Sequence, residues 1–264
     1  MNETNGTAEI KKVKILHLYH DLMNLYGDWA NTAALAHDIN KRGYKAEISK
    51  KSIGDKIVFD DYDFIFIGSG TERSQLACIR DLVQYKDQLF KSINDGLPVL
   101  ATGNAHELFG QSVTDYGANR HEMLGLLDFK TFQLNTRVTG DCLFKASFLD
   151  DKLAGYINRA GGNQKSDIKR PFTIEPGEGA NFNVHSEGIM YKNLLGTYVT
   201  GPILVRNPPL LKYIADIIAG RAEKPGGSAA AGSGGGSMQG GGASSTDKFS
   251  DYQRKAYETA IENL

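Results

Sequence analysis

The stretch Leu97–Gly110, LPVLATGNAHELFG, carries the order of residue types that builds a platform for nucleophilic catalysis. Pro98–Ala101 reads as a short buried strand, Thr102–Asn104 as a sharp turn and Ala105 onward as the start of a helix. A nucleophile elbow has this shape. The tight turn lifts its apex side chain above a parallel sheet, and the helix N-terminus beneath favours developing negative charge. The apex here is Gly103, which has no side chain. The platform is written into the sequence and the nucleophile is not.

No other residue replaces it convincingly by its sequence context. Cys78 falls on the helix that follows the loop Gly68-Ser69-Gly70, and Cys142 falls in a strand far along the chain; both read as buried structural thiols. Ser69 stands in the glycine loop, where its backbone is the expected contributor. His185-x-Glu187 imitates a catalytic His-x-Glu pair, but Glu187 begins the strand before Gly196-Thr197-Tyr198, so its register is wrong. His106 and Glu107 flank the elbow and read two ways, as the lining of a vestigial pocket or as exposed helix-start residues. His17, His20 and His37 have neither metal spacing nor cysteine partners, so no metal site is expected. The chain has no GxxxxGK[ST] phosphate loop and no basic stripe, so neither ATP chemistry nor nucleic-acid binding is expected, and no cofactor is implied.

The elements that must position the elbow follow from periodicity. Lys14–Tyr19 is a first strand and His20–Asp28 a loop. Trp29–Arg42 reads as a helix with Trp29, Ala33, Ala36 and Ile39 on one face, ended by Gly43. Lys45–Ser49 and Phe64–Ile67 read as strands, and Leu76, Ile79, Leu82, Leu89 and Ile93 mark one long helix. Strands alternating with helices predict an α/β fold with a mostly parallel sheet. Leu126–Val138 and Cys142–Leu149 read as strands added to that sheet, Gly155–Gly162 and Gly177–Gly188 as glycine-rich loops, Leu195–Val199 as a strand and Leu210–Ala219 as the last helix of the body. Residues 10–221 show no internal repeat.

Composition narrows the class. With 41% hydrophobic and 23% charged residues in 264, the chain suits one medium globular domain with additions. A net charge of −1 gives no global pull toward nucleic acid or anionic lipid. Two cysteines are too few for a disulfide framework, no apolar run spans a bilayer, and Met1–Lys12 is too polar for a secretory signal, so the expected location is cytoplasmic without membrane insertion.

Four motifs in order carry a resemblance: LYHDLMNLYGD (Leu18–Asp28), FIGSGTERSQ (Phe66–Gln75), VLATGNAHELFG (Val99–Gly110) and EGIMYKNLLGTYVTGPILVRNPPL (Glu187–Leu210). Together they make residues 13–220 resemble the class I glutamine amidotransferases of the cobyric-acid-synthase type, and within them the glutaminase subunits of lipid II isoglutaminyl synthases. The resemblance implies a flavodoxin-like three-layer sandwich, and glutamine hydrolysis through a cysteine thioester with a histidine base. It implies a heterodimer in which a MurT-like Mur ligase subunit uses the ammonia to amidate the peptidoglycan stem peptide, with L-glutamine as ligand. The family elbow reads like CGGYQLLG, which puts its Cys on Gly103 and its Gln on Glu107. The family histidine, in GTYLHGP, falls on Thr200. A family loop like GFENHGGRT falls on Gly155–Asn163; Gly155 and Asn158 are kept, while Ile157, Arg159 and Gly162 stand at its Glu, His and Arg positions. The resemblance makes Gly68, Ser69, Gly70, Arg73, Gln75, Asn104 and Asn158 the candidate oxyanion and substrate-binding residues.

A thioester needs a thiolate at the apex, and a threonine is no base near neutral pH. The expected function is therefore a catalytically degenerate amidotransferase subunit that supports a MurT-like ligase in a lipid II-amidating complex. The alternatives are an active glutaminase with a relocated nucleophile, and a module that holds glutamine without cleaving it. Residues 1–12 are expected to be a disordered tail, 13–221 the amidotransferase-like domain, 222–247 a flexible Gly/Ser/Ala-rich linker, natural or introduced, and 248–264 an amphipathic helix. In that helix Ser250 and Gln253 suggest a capping box. Phe249, Tyr252, Ala256, Ala260, Ile261 and Leu264 form its apolar stripe, to dock on the ligase or on the protein itself.

Overall fold

A computed structural model of the protein describes residues 10–164, 166–175, 184–223 and 248–264. The expected tail, apart from its last residues, nearly all of the expected linker and most of the Gly177–Gly188 loop lie outside the described residues.

The chain opens with β1 (Lys12–Leu18), α1 (Trp29–Lys41), β2 (Lys45–Lys51) and β3 (Phe64–Ile67). Helices α2 (Glu72–Leu82) and α3 (Lys86–Asn94) lead to β4 (Val99–Thr102). Then come β5 (Ser112–Thr114), β6 (Arg120–Glu122), β7 (Lys130–Ala146), β8 (Lys152–Asn163), β9 (Phe172–Ile174) and β10 (Ser186–Glu187). The body closes with β11 (Ile189–Tyr191), β12 (Leu194–Thr197), β13 (Val199–Thr200), α4 (Ile203–Arg206) and α5 (Pro208–Ala222), and α6 spans Lys248–Asn263.

The core is a six-stranded sheet in the order β11-β12-β4-β3-β1-β2. All its pairings are parallel except β11 with β12. Every residue of β3 and β4 is buried, as expected of central parallel strands covered on both faces. Leu82 of α2 and Leu89 and Ile93 of α3 pack on one face with Ile65 and Val99. Leu35 and Ile39 of α1 and Leu210, Ile214 and Ile218 of α5 pack on the other with Ile15 and Phe66. Helix, sheet and helix make the three layers that the alternation and the motifs predicted.

Several local expectations are corrected. Leu126–Val138 and Cys142–Leu149 do not extend the core sheet. Most of their length forms one strand, β7, which pairs with β8 in a second sheet. Gly155–Gly162 is no loop but part of β8, in register with β7 from Phe132–Gly162 to Cys142–Gly155 with one irregularity between Gln133 and Val138. Glycine reads as loop from composition, yet here it allows close packing: a Cβ on Gly161 would lie 2.7 Å from Thr131 Cγ2 and 2.9 Å from the Tyr198 hydroxyl. The single long helix is two, because a 3-10 turn at Val83–Tyr85 separates α2 from α3. Of the expected helix face Ala36 and Ile39 are buried, but Trp29 is 55% exposed, and α1 also buries Asn31, Thr32, Ala34 and Leu35. Asn31 is buried because its Oδ1 accepts from the Leu204 amide at 2.8 Å, at the start of α4.

Helix α6 docks on the body of its own chain. The buried Gln253 Nε2 donates to the Leu204 carbonyl at 2.9 Å, the Tyr257 hydroxyl to the Lys152 carbonyl at 2.7 Å, and Lys41 Nζ to Ser250 Oγ at 3.0 Å. Ser250 lies inside the helix, so the expected capping box does not form. Among the described residues of the apolar stripe Tyr252 is 70% and Leu264 42% exposed, while Ala260 and Ile261 are half-buried.

Candidate functional site

The site grows from the C-terminal ends of the adjacent strands β3 and β4. Beyond β4 the backbone turns at Gly103 with φ +58°, a left-handed conformation that side chains resist. It continues as a 3-10 segment, Gly103–Phe109, rather than the expected α-helix. The loop Gly68–Gly70 after β3 faces this turn, as the position of ligand sites in open α/β sheets predicts. The contact is tight. A Cβ on Gly103 would overlap the Ser69 hydroxyl, lie 2.7 Å from Ser69 Cβ and 3.2 Å from Thr200 Cγ2. Ser69 and Thr200 thus fill the space where a side chain at the apex would begin.

The hydrogen bonds of these residues are largely taken. The Ser69 amide donates to Asp28 Oδ2 at 3.0 Å and the Gly70 amide to Asn104 Oδ1 at 3.0 Å, so both amides of the glycine loop are held by side chains. Burial pushes the Asp28 carboxyl up to about 6 against the bonds it accepts from the Ser69 and Tyr26 amides and the Thr102 hydroxyl. The Thr200 hydroxyl donates to the Tyr156 carbonyl at 3.0 Å. The Ser69 hydroxyl has no partner among the described residues.

A cavity of about 230 Å³ opens over this cluster. Ser69, Gly70, Gly103, Asn104, Asn158 and Thr200 line it, so most of the candidate positions converge. Gly68 lies beneath the loop against Asp28. Arg73 and Gln75 do not line the cavity; they line a neighbouring cleft that shares Glu72 and Gln133 with it. Gln75 acts on the site indirectly, donating from Nε2 to the Asn104 carbonyl and to Glu107 Oε2, each at 2.7 Å. Of the remaining wall, the sequence singles out Glu107 and Arg159 but not Arg137 and Glu72. Arg137 donates to Asn158 Oδ1 at 2.8 Å and pairs with Glu72 at 3.1 Å. Arg159, buried in β8, donates to the Gly161 carbonyl at 2.8 Å with its guanidinium carbon 5.6 Å from the Tyr198 ring centre. Asp28 ends the first quoted motif, which was the one available signal for its role.

His106 and Glu107 are both buried, which removes the reading of exposed helix-start residues. The Tyr198 hydroxyl lies 2.7 Å from Glu107 Oε1 and 2.9 Å from Asn163 Oδ1. Burial still raises the Glu107 carboxyl to about 7, with the Gln75 and Tyr198 donors opposing it. His106 Nδ1 sits 2.7 Å from the Gly103 carbonyl and must donate to it, and burial lowers its pKa to about 4, so the ring is neutral. That bond pins the turn from below. Glu187 accepts from Thr197 Oγ1 at 2.6 Å and from the Tyr198 amide at 2.7 Å, and neither it nor His185 lines the cavity. Cys78 and Cys142 lie outside the cavity, and burial pushes both thiols up to about 12, where they are inert. Among the described residues no group of three or more His, Cys, Asp or Glu is placed to hold a metal ion, and no helix is long and apolar enough to cross a membrane.

Residues 14–208 match the CobB/CobQ-like glutamine amidotransferase domain. The chain belongs to this family. It is 33% identical over 205 residues to the lipid II isoglutaminyl synthase (glutamine-hydrolyzing) subunit GatD of Staphylococcus aureus (strain N315), covering 78% of this chain and 84% of that one. It is 34% identical over 202 residues to the GatD subunit of Streptococcus pneumoniae (strain ATCC BAA-255 / R6), covering 75% and 77%. Solved structures share the fold of this amidotransferase chain. PurLQS from Thermotoga maritima superposes with TM-score 0.52 at 13% identity over 80% of this chain and 97% of that one. A further glutamine amidotransferase gives 0.51 at 12% identity over 77% and 98%. In this chain the turn after β4 carries glycine at position 103 and faces the loop Gly68–Gly70.

Proposed function

We propose that this chain is the GatD-like subunit of a complex that amidates lipid II in the cytoplasm. In this reading it serves a MurT-like Mur ligase as a structural or regulatory partner rather than as its source of ammonia. One observation carries the loss of hydrolysis: Ser69 and Thr200 occupy the space above Gly103. Acyl transfer from glutamine needs a nucleophile at that point, a base beside it and free donors for the oxyanion. Gly103 supplies no nucleophile, the Thr200 hydroxyl donates to a carbonyl, and the Ser69 and Gly70 amides hold side chains. Both cysteines are remote and protonated. The similarity to two GatD subunits supports the pathway, and the preserved fold supports a role in assembly.

A second reading rests on the open cavity of about 230 Å³, whose Asn104, Asn158 and Arg137 offer polar contacts for an amino acid held without cleavage. The test of both is to incubate the purified chain, alone and with the ligase, with glutamine and to measure glutamate release and complex formation. A complex without glutamate release is the expected result. Turnover above background sinks the non-catalytic reading. A glutamine-dependent rise in melting temperature without turnover favours the second.

A further inference from the structure

The cleft on the outer side of α2 has no part in the chemistry above. It encloses about 490 Å³ between α2 and the β5–β6 hairpin. Arg73, Leu76 and Arg80 lie along the helix wall, and Val113, Tyr116 and His121 form the opposite wall. Positions i, i+3 and i+7 share one helix face, so the two arginines bracket an apolar centre about two turns long.

The charges in this cleft do not cancel. Glu72 is held by Arg137. Asp115 accepts from the Gly117 and Asn119 amides and lies 3.0 Å from His121 Nε2. Arg73 and Arg80 are exposed and have no ion-pair partner among the described residues. Tyr116, on the opposite wall of the cleft, is 49% exposed. Exposed guanidinium groups on long stems are a poor clamp for a small ligand, whose sites use buried polar groups already in place. Arginine and tyrosine around an apolar centre are instead the side chains that anchor protein interfaces. The cleft also shares Glu72 and Gln133 with the wall of the cavity over Gly103, so an occupant sits at that cavity's edge.

Resting on the partnership proposed above, we infer that this cleft receives an acidic segment of the ligase subunit. Carboxylates of that segment meet Arg73 and Arg80, and an apolar side chain between them packs on Leu76, Val113 and Tyr116.

The test is the affinity of the full-length chain for the ligase, measured by titration at low and high salt. Arg73→Glu/Arg80→Glu is expected to weaken the complex more than tenfold and to flatten its salt dependence, because each attraction becomes a repulsion. Tyr116→Ala weakens it with the salt dependence kept. Lys11→Glu/Lys45→Glu, the same charge change at the opposite edge of the sheet, leaves affinity within about twofold. Both arginines are exposed, so the melting temperature of the free variant should match the parent. A complex that forms with the parent chain and is equally tight with Arg73→Glu/Arg80→Glu overturns the inference alone. Absence of any complex with the parent chain removes the partnership and the inference with it. A melting-temperature rise with inorganic pyrophosphate that Arg73→Glu/Arg80→Glu abolishes, with complex affinity unchanged, assigns the cleft to a small anion and also overturns it.

Discussion

Ser69 and Gly103 stand so close that a Cβ on the glycine would come within 2.7 Å of the serine Cβ. The vacancy at the apex is thus a packed arrangement between two loops. Restoring a thiol is more than a one-residue change.

Gly103→Cys should therefore lower the melting temperature before any question of activity arises. It forces a side chain into φ +58° and into Ser69. Left-handed strain and overpacking together amount to about 2–5 kcal/mol. Adding Ser69→Gly should recover the overpacking part and leave the strain. Glutamate release should stay at background in both variants, because Thr200 supplies no base. Adding Thr200→His to the pair gives the best prospect of weak turnover. Strong turnover from Gly103→Cys alone points to a base elsewhere in the cavity.

Glu107 sets a pH dependence whose sign follows from its burial. Its carboxyl titrates at about 7 in the folded chain against the ordinary 4.5. Below 4.5 both states are protonated; between 4.5 and 7 the folded state holds the proton that the unfolded state has released. Stability from this group therefore falls as pH rises through that window, by about 3 kcal/mol in all. The difference in stability between the parent and Glu107→Gln should shift against the parent from pH 5 to 8 in denaturant titrations. A difference independent of pH contradicts this account.

His106 acts at the other end of the scale. Its folded pKa of about 4 lies below the ordinary 6.5, so its contribution is complete above 6.5 and is lost as pH falls toward 4. His106→Gln should flatten the acid limb of the stability profile. It should also lower stability at neutral pH, because the bond to the Gly103 carbonyl is disturbed.

Removal of residues 248–264 should lower the melting temperature of the isolated protein, because α6 packs on α4 and β8 rather than waiting for a partner. Gln253→Ala alone should cost about 1–3 kcal/mol, since it strands the buried Leu204 carbonyl. An unchanged melting temperature after the deletion would place the helix elsewhere in solution.

Asn207 ties the end of α4 to β8. Its side chain accepts from the Ala154 amide at 2.8 Å and donates to the Ala154 and Ile203 carbonyls at 2.8 and 2.9 Å, all buried. Asn207→Ala should destabilise by about 2–4 kcal/mol, as expected when a buried network loses its centre. Chemical denaturation with an unchanged slope measures it.

The local order of residues decided much here. Apolar runs alternating with amphipathic stretches specify the parallel core, because side-chain periodicity is a property of a few neighbouring residues. Position 103 carries no side chain and position 200 a hydroxyl rather than an imidazole, whatever surrounds them. The tertiary structure decided what depends on contacts far along the chain. Sheet membership of β7 and β8 is one such case, since strand pattern does not name a partner. The burial of His106 and Glu107 is another, because Gln75, Asn163 and Tyr198 arrive from three other segments to satisfy them. The docking of α6 is a third, since Gln253 and Tyr257 find their acceptors on Leu204 and Lys152, far away in sequence. Ser69 in the space above Gly103 is the same kind of fact: two loops 34 positions apart meet only when β3 and β4 pair.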